Sequence, residues 1–234
     1  TSAPPHDSRL QSLCQMVWAL TIFREVGISV YRTMRNYENI NKGVFDGAGI
    51  YGIPRIAPTE CDTGDFIGFN YARTCKSPKG KGVHFFVDDY QFLRCWTNPE
   101  AYLGMLGQFD CVFSPDFSTY IDFPLAVQIY NHYRKHWLGA YWQANRIKVI
   151  PTISWSGPES FEWCFDGEPV GGCVAVSSVG TQLNKHAAEL FRRGYDEMLE
   201  RLKPSKILFY GAIPEGCDGN IVPIAAFQER FRTL

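Results

Sequence analysis

Val83–Val87 reads V-H-F-F-V and runs directly into Asp88-Asp89. An amphipathic strand would alternate apolar and polar residues, whereas this run stays apolar. A strand of that kind is buried on both faces, as in a parallel sheet covered by helices. Working outward, the pattern repeats. Cys111–Ser114, Ile147–Ile153, Cys173–Val176 and Ile207–Tyr210 are further short apolar runs. Between them lie stretches with helical spacing. Thr97 or Asn98 can cap a helix opened by Pro99. A second helix is expected from about 124 to 138, capped by Asp122, with Ala126, Ile129, Tyr130, Tyr133 and Trp137 at helical spacing. Residues 158–164 are a candidate short helix. Residues 184–202 place Ala187, Leu190, Phe191, Tyr195, Met198 and Leu202 on one face. The expectation is therefore an α/β fold, a mostly parallel sheet of alternating β/α units, barrel-like or doubly wound. Ile50–Ile56 and Phe66–Phe69 are shorter apolar runs ahead of it.

The division expected is an N-terminal helical extension over residues 1–49 and a single α/β domain over 50–234. Residues 9–40 read mostly as helix, broken near Gly27. The longest apolar run, Leu13 to Phe23, is too short for a bilayer, which needs about 20 residues. With 45% hydrophobic residues and 20% charged in 234, the chain can bury a sizeable core and is neither disordered nor fibrous. A net charge of −1 provides no global attraction for nucleic acid or membrane, so any such binding must be local. The eight cysteines (Cys14, Cys61, Cys75, Cys95, Cys111, Cys164, Cys173 and Cys217) form no C-x-x-C pair and no zinc spacing. Several sit in apolar runs, where Cys behaves as a small hydrophobe. Reduced thiols and a cytoplasmic location are expected.

In parallel α/β folds, ligands bind where the carboxyl ends of the strands meet their loops. Those ends carry Asp88 and Asp89, then Ser114 and Asp116, then Trp155, then Ser177, then Tyr210. Proline holds Ser114 extended and directs Asp116 toward this rim. Positioned carboxylates suit acid–base work, nucleophilic attack or metal binding. The expected catalytic set is Asp88, Asp89 and Asp116, with Asp88 and Asp116 as ligands for Mg²⁺ or Mn²⁺. Tyr120, Asp122, Trp155, Ser177 and Tyr210 are the expected pocket lining.

Phe123 to Pro158 contains no Asp or Glu, but it holds Arg134, Lys135, His132, His136, Trp142 and several tyrosines. Basic and aromatic residues together pair with phosphates and stack on bases. Arg134, Lys135 and Trp142 are therefore candidate contacts to DNA or RNA. His132 and His136 are four apart and share a helix face, yet no third ligand is evident beside them. A solvated face crowded by Arg134 and Lys135 is the expectation there.

H-F-F-V-D-D-Y-Q-F (84–92), F-S-P-D-F-S-T-Y (113–120), W-L-G-A-Y-W-Q (137–143) and V-I-P-T-I-S-W (149–155) resemble a bacterial and phage family catalogued as domain of unknown function 4417. G-I-P (52–54), F-N-Y-A (69–72) and V-A-V-S-S-V-G (174–180) extend the resemblance from about Gly52 to Ala212. It implies a setting in phages and mobile elements, and hence DNA or RNA transactions or conflict with a host. Two functions follow. One is an enzyme on nucleic acid or nucleotides, by metal-assisted phosphodiester cleavage or by base exchange through an Asp. The other is a non-catalytic regulator or inhibitor that binds nucleic acid or a protein of the host or element.

Overall fold

The computed structural model describes residues 37–226. The chain divides into two compact units after Gly43. The helical expectation for residues 9–40 falls almost wholly outside the described residues.

From Val44 onward the structure is α/β. A short antiparallel pair, β1 (Gly47–Ala48) and β2 (Ile53–Pro54), comes first. Four parallel strands follow in sequential order: β3 (Asp65–Gly68), β4 (Lys81–His84), β5 (Cys111–Phe113) and β6 (Val149–Ile150). Three more are also parallel and sequential: β7 (Cys173–Ser177), β8 (Lys206–Tyr210) and β9 (Ile221–Ile224). A single parallel bridge, Thr152 to Ala175, joins the two groups. Among the described residues β3 and β9 do not pair, so the barrel is not closed.

The sheet nevertheless curls. The His84 ring at the end of β4 lies 4.7 Å from that of Tyr210 at the end of β8, although β4 and β8 are not neighbours. Alternate residues of β7 and β8 therefore face two different cores. Cys173, Ala175, Leu208 and Tyr210 pack inward with Phe66, Cys111 and Phe113. Val174, Val176, Ile207 and Phe209 pack outward. Gly82 sits on the inward face because a Cβ there would fall 2.3 Å from the Phe66 ring. Gly82→Ala is expected to cost about 1–3 kcal/mol by overpacking, read as a lower urea midpoint with an unchanged slope.

The connecting helices are α1 (Phe69–Ala72), α2 (Asp89–Thr97), α3 (Glu100–Leu106), α4 (Leu125–Ala144) and α5 (Lys185–Leu202). A 3₁₀ turn spans Pro158–Glu162. In α5, Phe191, Tyr195, Met198 and Leu202 recur at helical spacing and pack on the outer faces of β7 and β8. Each such side chain contributes about 2 kcal/mol on burial. Asn184 caps this helix, its side chain accepting from the Ala187 amide at 2.9 Å. Lys203 ends it in the left-handed conformation.

Two sequence expectations are corrected, and two elements were not foreseen. The strand read as Val83–Val87 ends at His84, because the chain turns at once: the Val87 amide donates to the Phe85 carbonyl. The helix α2, opening at Asp89, has no counterpart in the sequence reading. Asp122 does not cap α4; Pro124 stands at its N-cap, and the helix continues to Ala144. The last strand, β9, escapes the sequence reading because Pro223 interrupts its pattern. Proline is tolerated there because β9 is an edge strand. Among the described residues, no helix is long and apolar enough to cross a membrane.

Candidate functional site

Two groups of polar residues sit toward the carboxyl ends of the strands. The first surrounds Asp116. Just past β5, Ser114 is fully buried; its hydroxyl accepts from the Thr152 amide at 2.8 Å, and its carbonyl accepts from the Thr152 hydroxyl at 2.8 Å. Pro115 then turns the chain and Asp116 follows. Burial of its carboxyl pushes the pKa up to about 7. The Lys135 ammonium opposes this rise, and the Asp89 carboxylate adds to it. Asp89 is fixed by two hydrogen bonds, from the Ser118 amide at 3.1 Å and the Ser118 hydroxyl at 2.9 Å. Asp88 lies at the N-terminus of α2, where its side chain makes no capping hydrogen bond. The structure thus brings Asp116 and Asp89 into electrostatic range of each other.

The remaining expected residues scatter. Tyr120 is exposed and meets Phe123 edge-on. Asp122 is exposed. Trp155 is partly covered and packs against Phe191 and Gly194. The Ser177 hydroxyl accepts from the Val179 amide, and Tyr210 stacks on Phe86 at 4.8 Å. The Arg134 guanidinium lies 4.0 Å over the Phe117 ring. Trp142 is wholly buried beside Phe85, and Lys135 is buried as well. Neither presents its side chain to a polymer as the sequence reading expected. The helix turns them inward because α4 is buried along much of its length.

The second group was not foreseen. His132, Lys135 and His136 are not on a solvated face; all three are buried in α4. Lys135 and His136 share Glu168 as a partner, itself buried, on the loop before β7. One Glu168 oxygen, Oε1, accepts from the Lys135 ammonium at 2.8 Å and contacts His136 Nε2 at 2.9 Å. Lys135 also donates to the Thr152 carbonyl at 2.7 Å. His136 Nδ1 contacts the Pro54 carbonyl at 2.8 Å, and His132 Nε2 contacts the Asp166 carbonyl at 3.0 Å. Because carbonyls only accept, both of those nitrogens carry protons. Burial and the neighbouring Lys135 and His136 charges hold the His132 pKa well below its ordinary range, so its ring is neutral. Lys135 and His136 overcome the desolvation of Glu168 and hold its carboxyl below the ordinary 4.5.

Gly167 makes this approach possible. Its φ is +77°, and a Cβ there would lie 2.5 Å from the Pro54 carbonyl oxygen and 2.8 Å from His136 Nδ1. Gly167→Ala is expected to cost about 2–3 kcal/mol, from the left-handed backbone and the displaced ring together. Thermal denaturation measures it. A signal for this group did exist. Lys135 and His136 fall three and four residues after His132, on one face. The acids missing from 123–158 resume at Glu159, Glu162, Asp166 and Glu168.

The seven cysteines among the described residues are free thiols. Cys61 and Cys111 lie 3.3 Å apart, sulfur to sulfur. Donation from Cys111 lowers the Cys61 pKa. They line a concavity of about 310 Å³ with Glu60, Asp62, Thr63, Asp110 and Lys148. It lies at the amino ends of β3, β5 and β6, opposite Asp116.

An open, curled sheet of parallel strands, with a near-neutral carboxyl at its carboxyl end and a buried Lys–Glu–His group behind it, defines an α/β protein. Comparison with known proteins then places it. The model of the family described as domain of unknown function (DUF4417) matches residues 45–228, and the chain belongs to that family. It is 39% identical to the Gene 1 protein of Mycobacterium phage L5 over 181 residues, covering 76% of this chain and 79% of that protein. It is 38% identical to the Gene 1 protein of Mycobacterium phage D29, covering 76% of this chain and 67% of that protein. No solved structure matches.

Proposed function

We propose that this chain is a phage-associated enzyme acting on nucleic acid or a nucleotide, with Asp116 as its general acid–base group. One observation carries the reading. A carboxyl with a pKa of about 7 changes protonation at working pH, which general acid–base catalysis requires. Burial maintains that value, with a smaller push from Asp89, which is itself fixed by Ser118. Tyr120 is exposed and offers an aromatic face on which a base could stack. The kinship with proteins of two mycobacterial phages supports a phage setting. Phosphodiester cleavage with Mg²⁺ or Mn²⁺ and base exchange through Asp116 are the two reactions this arrangement suits. In the first, Asp116 accepts the proton of the attacking water, the water oxygen bonds to phosphorus, and the ester oxygen leaves and takes a proton from solvent. In the second, the Asp116 carboxylate bonds to the sugar carbon, the glycosidic bond breaks, and the departing base takes its proton from water.

One feature favours a binding protein instead. Tyr120, Ile121, Leu125 and Val127 are exposed along the entry to α4. The test uses labelled single- and double-stranded DNA and RNA with Mg²⁺ or Mn²⁺, the native chain and Asp116→Asn side by side. A product formed only by the native chain supports the enzyme. Equal products from both overturn it. Retention of nucleic acid by both without turnover supports the binder.

A further inference from the structure

We propose that His132, His136 and Glu168 form a binding site for one divalent transition-metal ion of the Zn²⁺ type. One nitrogen from each ring and one carboxylate oxygen lie within 4.8 Å of one another, and all three residues are buried. Two histidines and a carboxylate are the ligand set such ions take.

The hydrogen bonds behind the ligands give the proposal its strength. Metal-binding histidines donate their second ring N–H to a carbonyl or carboxylate, which fixes the tautomer. Both histidines do so here: His136 Nδ1 to the Pro54 carbonyl and His132 Nε2 to the Asp166 carbonyl. This leaves His136 Nε2 and His132 Nδ1 to supply lone pairs. The carboxylate is equally prepared. Glu168 Oε1 is taken by Lys135, while Oε2 is buried with no hydrogen-bond partner among the described residues. A buried carboxylate oxygen left unpaired is costly, and a cation resolves it.

Binding balances simply. The contact between His136 Nε2 and Glu168 Oε1 requires a shared proton. The ion replaces it, two nitrogen–metal bonds and one oxygen–metal bond form, and the proton passes to bulk water. Lys135 remains on the Thr152 carbonyl, and the Glu168 carboxylate supplies the ligand oxygen. Water completes the coordination. The Trp163 indole N–H is also buried without an acceptor among the described residues, and its ring stands 5.5 Å from that of His132. This ion is separate from any Mg²⁺ or Mn²⁺ at Asp116, and its binding does not require the chain to be an enzyme.

The experiment is titration of chelator-treated, full-length protein with Co²⁺, followed by visible absorption and thermal denaturation, then displacement by Zn²⁺. The expected result is one equivalent of Co²⁺ with d–d bands, loss of the bands on adding Zn²⁺, and a higher Tm with either ion. His132→Gln, with its fold checked by circular dichroism, should lower affinity at least 10-fold. His186→Gln, at an exposed histidine outside the group, should leave it unchanged. Absence of d–d bands from the folded native chain overturns the site. So do bands that survive His132→Gln and vanish with His186→Gln.

Discussion

Replacing Glu168 by glutamine is expected to destabilise the fold by about 3–5 kcal/mol, the effect of removing one partner from a buried ion pair. Glutamine keeps the shape and one carbonyl oxygen, so packing changes little. The negative charge is lost, and Lys135 and His136 are left facing each other in a dry site. For a chain of this length the drop corresponds to roughly 10 °C in Tm. Lys135→Met should be costly for the reciprocal reason, since Glu168 then keeps only His136. The double variant should lose less than the two single losses added, because neither charge is then abandoned. Simple additivity would show that the pair contributes packing rather than charge. The pH dependence has a definite sign. The Glu168 carboxyl is held below 4.5 in the fold, so its contribution is present above that pH and is lost as pH falls through the lower folded value. The gap between the native chain and Glu168→Gln should therefore narrow in acid.

Replacing Asp116 by asparagine is expected to stabilise the protein and, on the proposed function, to remove turnover. In that reading Asp116, as the acid–base group, would supply a rate factor of about 10²–10⁴. Its stability effect runs opposite to that of Glu168. The folded pKa of about 7 lies above the ordinary 3.8. The favourable contribution of the neutral carboxyl is complete below pH 3.8 and is lost as pH rises through about 7. An asparagine side chain at this position never ionises. The variant should thus match the native chain below about pH 4 and exceed it by about 2 kcal/mol at pH 8, with partial solvent access keeping the gain below the full shift. Chemical denaturation at the two pH values measures it. Greater stability together with lost turnover is hard to obtain from a misfolded variant.

The sequence was most legible where both faces of a strand are buried. Val83, Val112, Val174 and Leu208 all lie in runs whose continuous apolarity identifies parallel strands, and the order of those strands follows from their alternation with helices. It was least legible where tertiary partners decide. Nothing local stops β4 at His84 or excuses Pro223 within β9; the first depends on a turn and the second on edge position. Asp116 was readable because Pro115 fixes its exit from β5, but its partner was ambiguous between Asp88 and Asp89 until the start of α2 was known. The buried group was hidden by its own chemistry. Lys135 beside two histidines reads as a wet surface unless Glu168, some thirty residues on, is known to fold back over it, and that depends on Gly167.

The central claim is that Asp116 is a near-neutral acid–base group. Carbon-detected NMR titration of the aspartate side-chain carboxyls, comparing the native chain with Asp116→Asn, tests it directly. The expected result is one resonance with a midpoint near pH 7 that is missing from the variant. If every aspartate titrates below about pH 5, or the near-neutral resonance persists in Asp116→Asn, the claim is wrong.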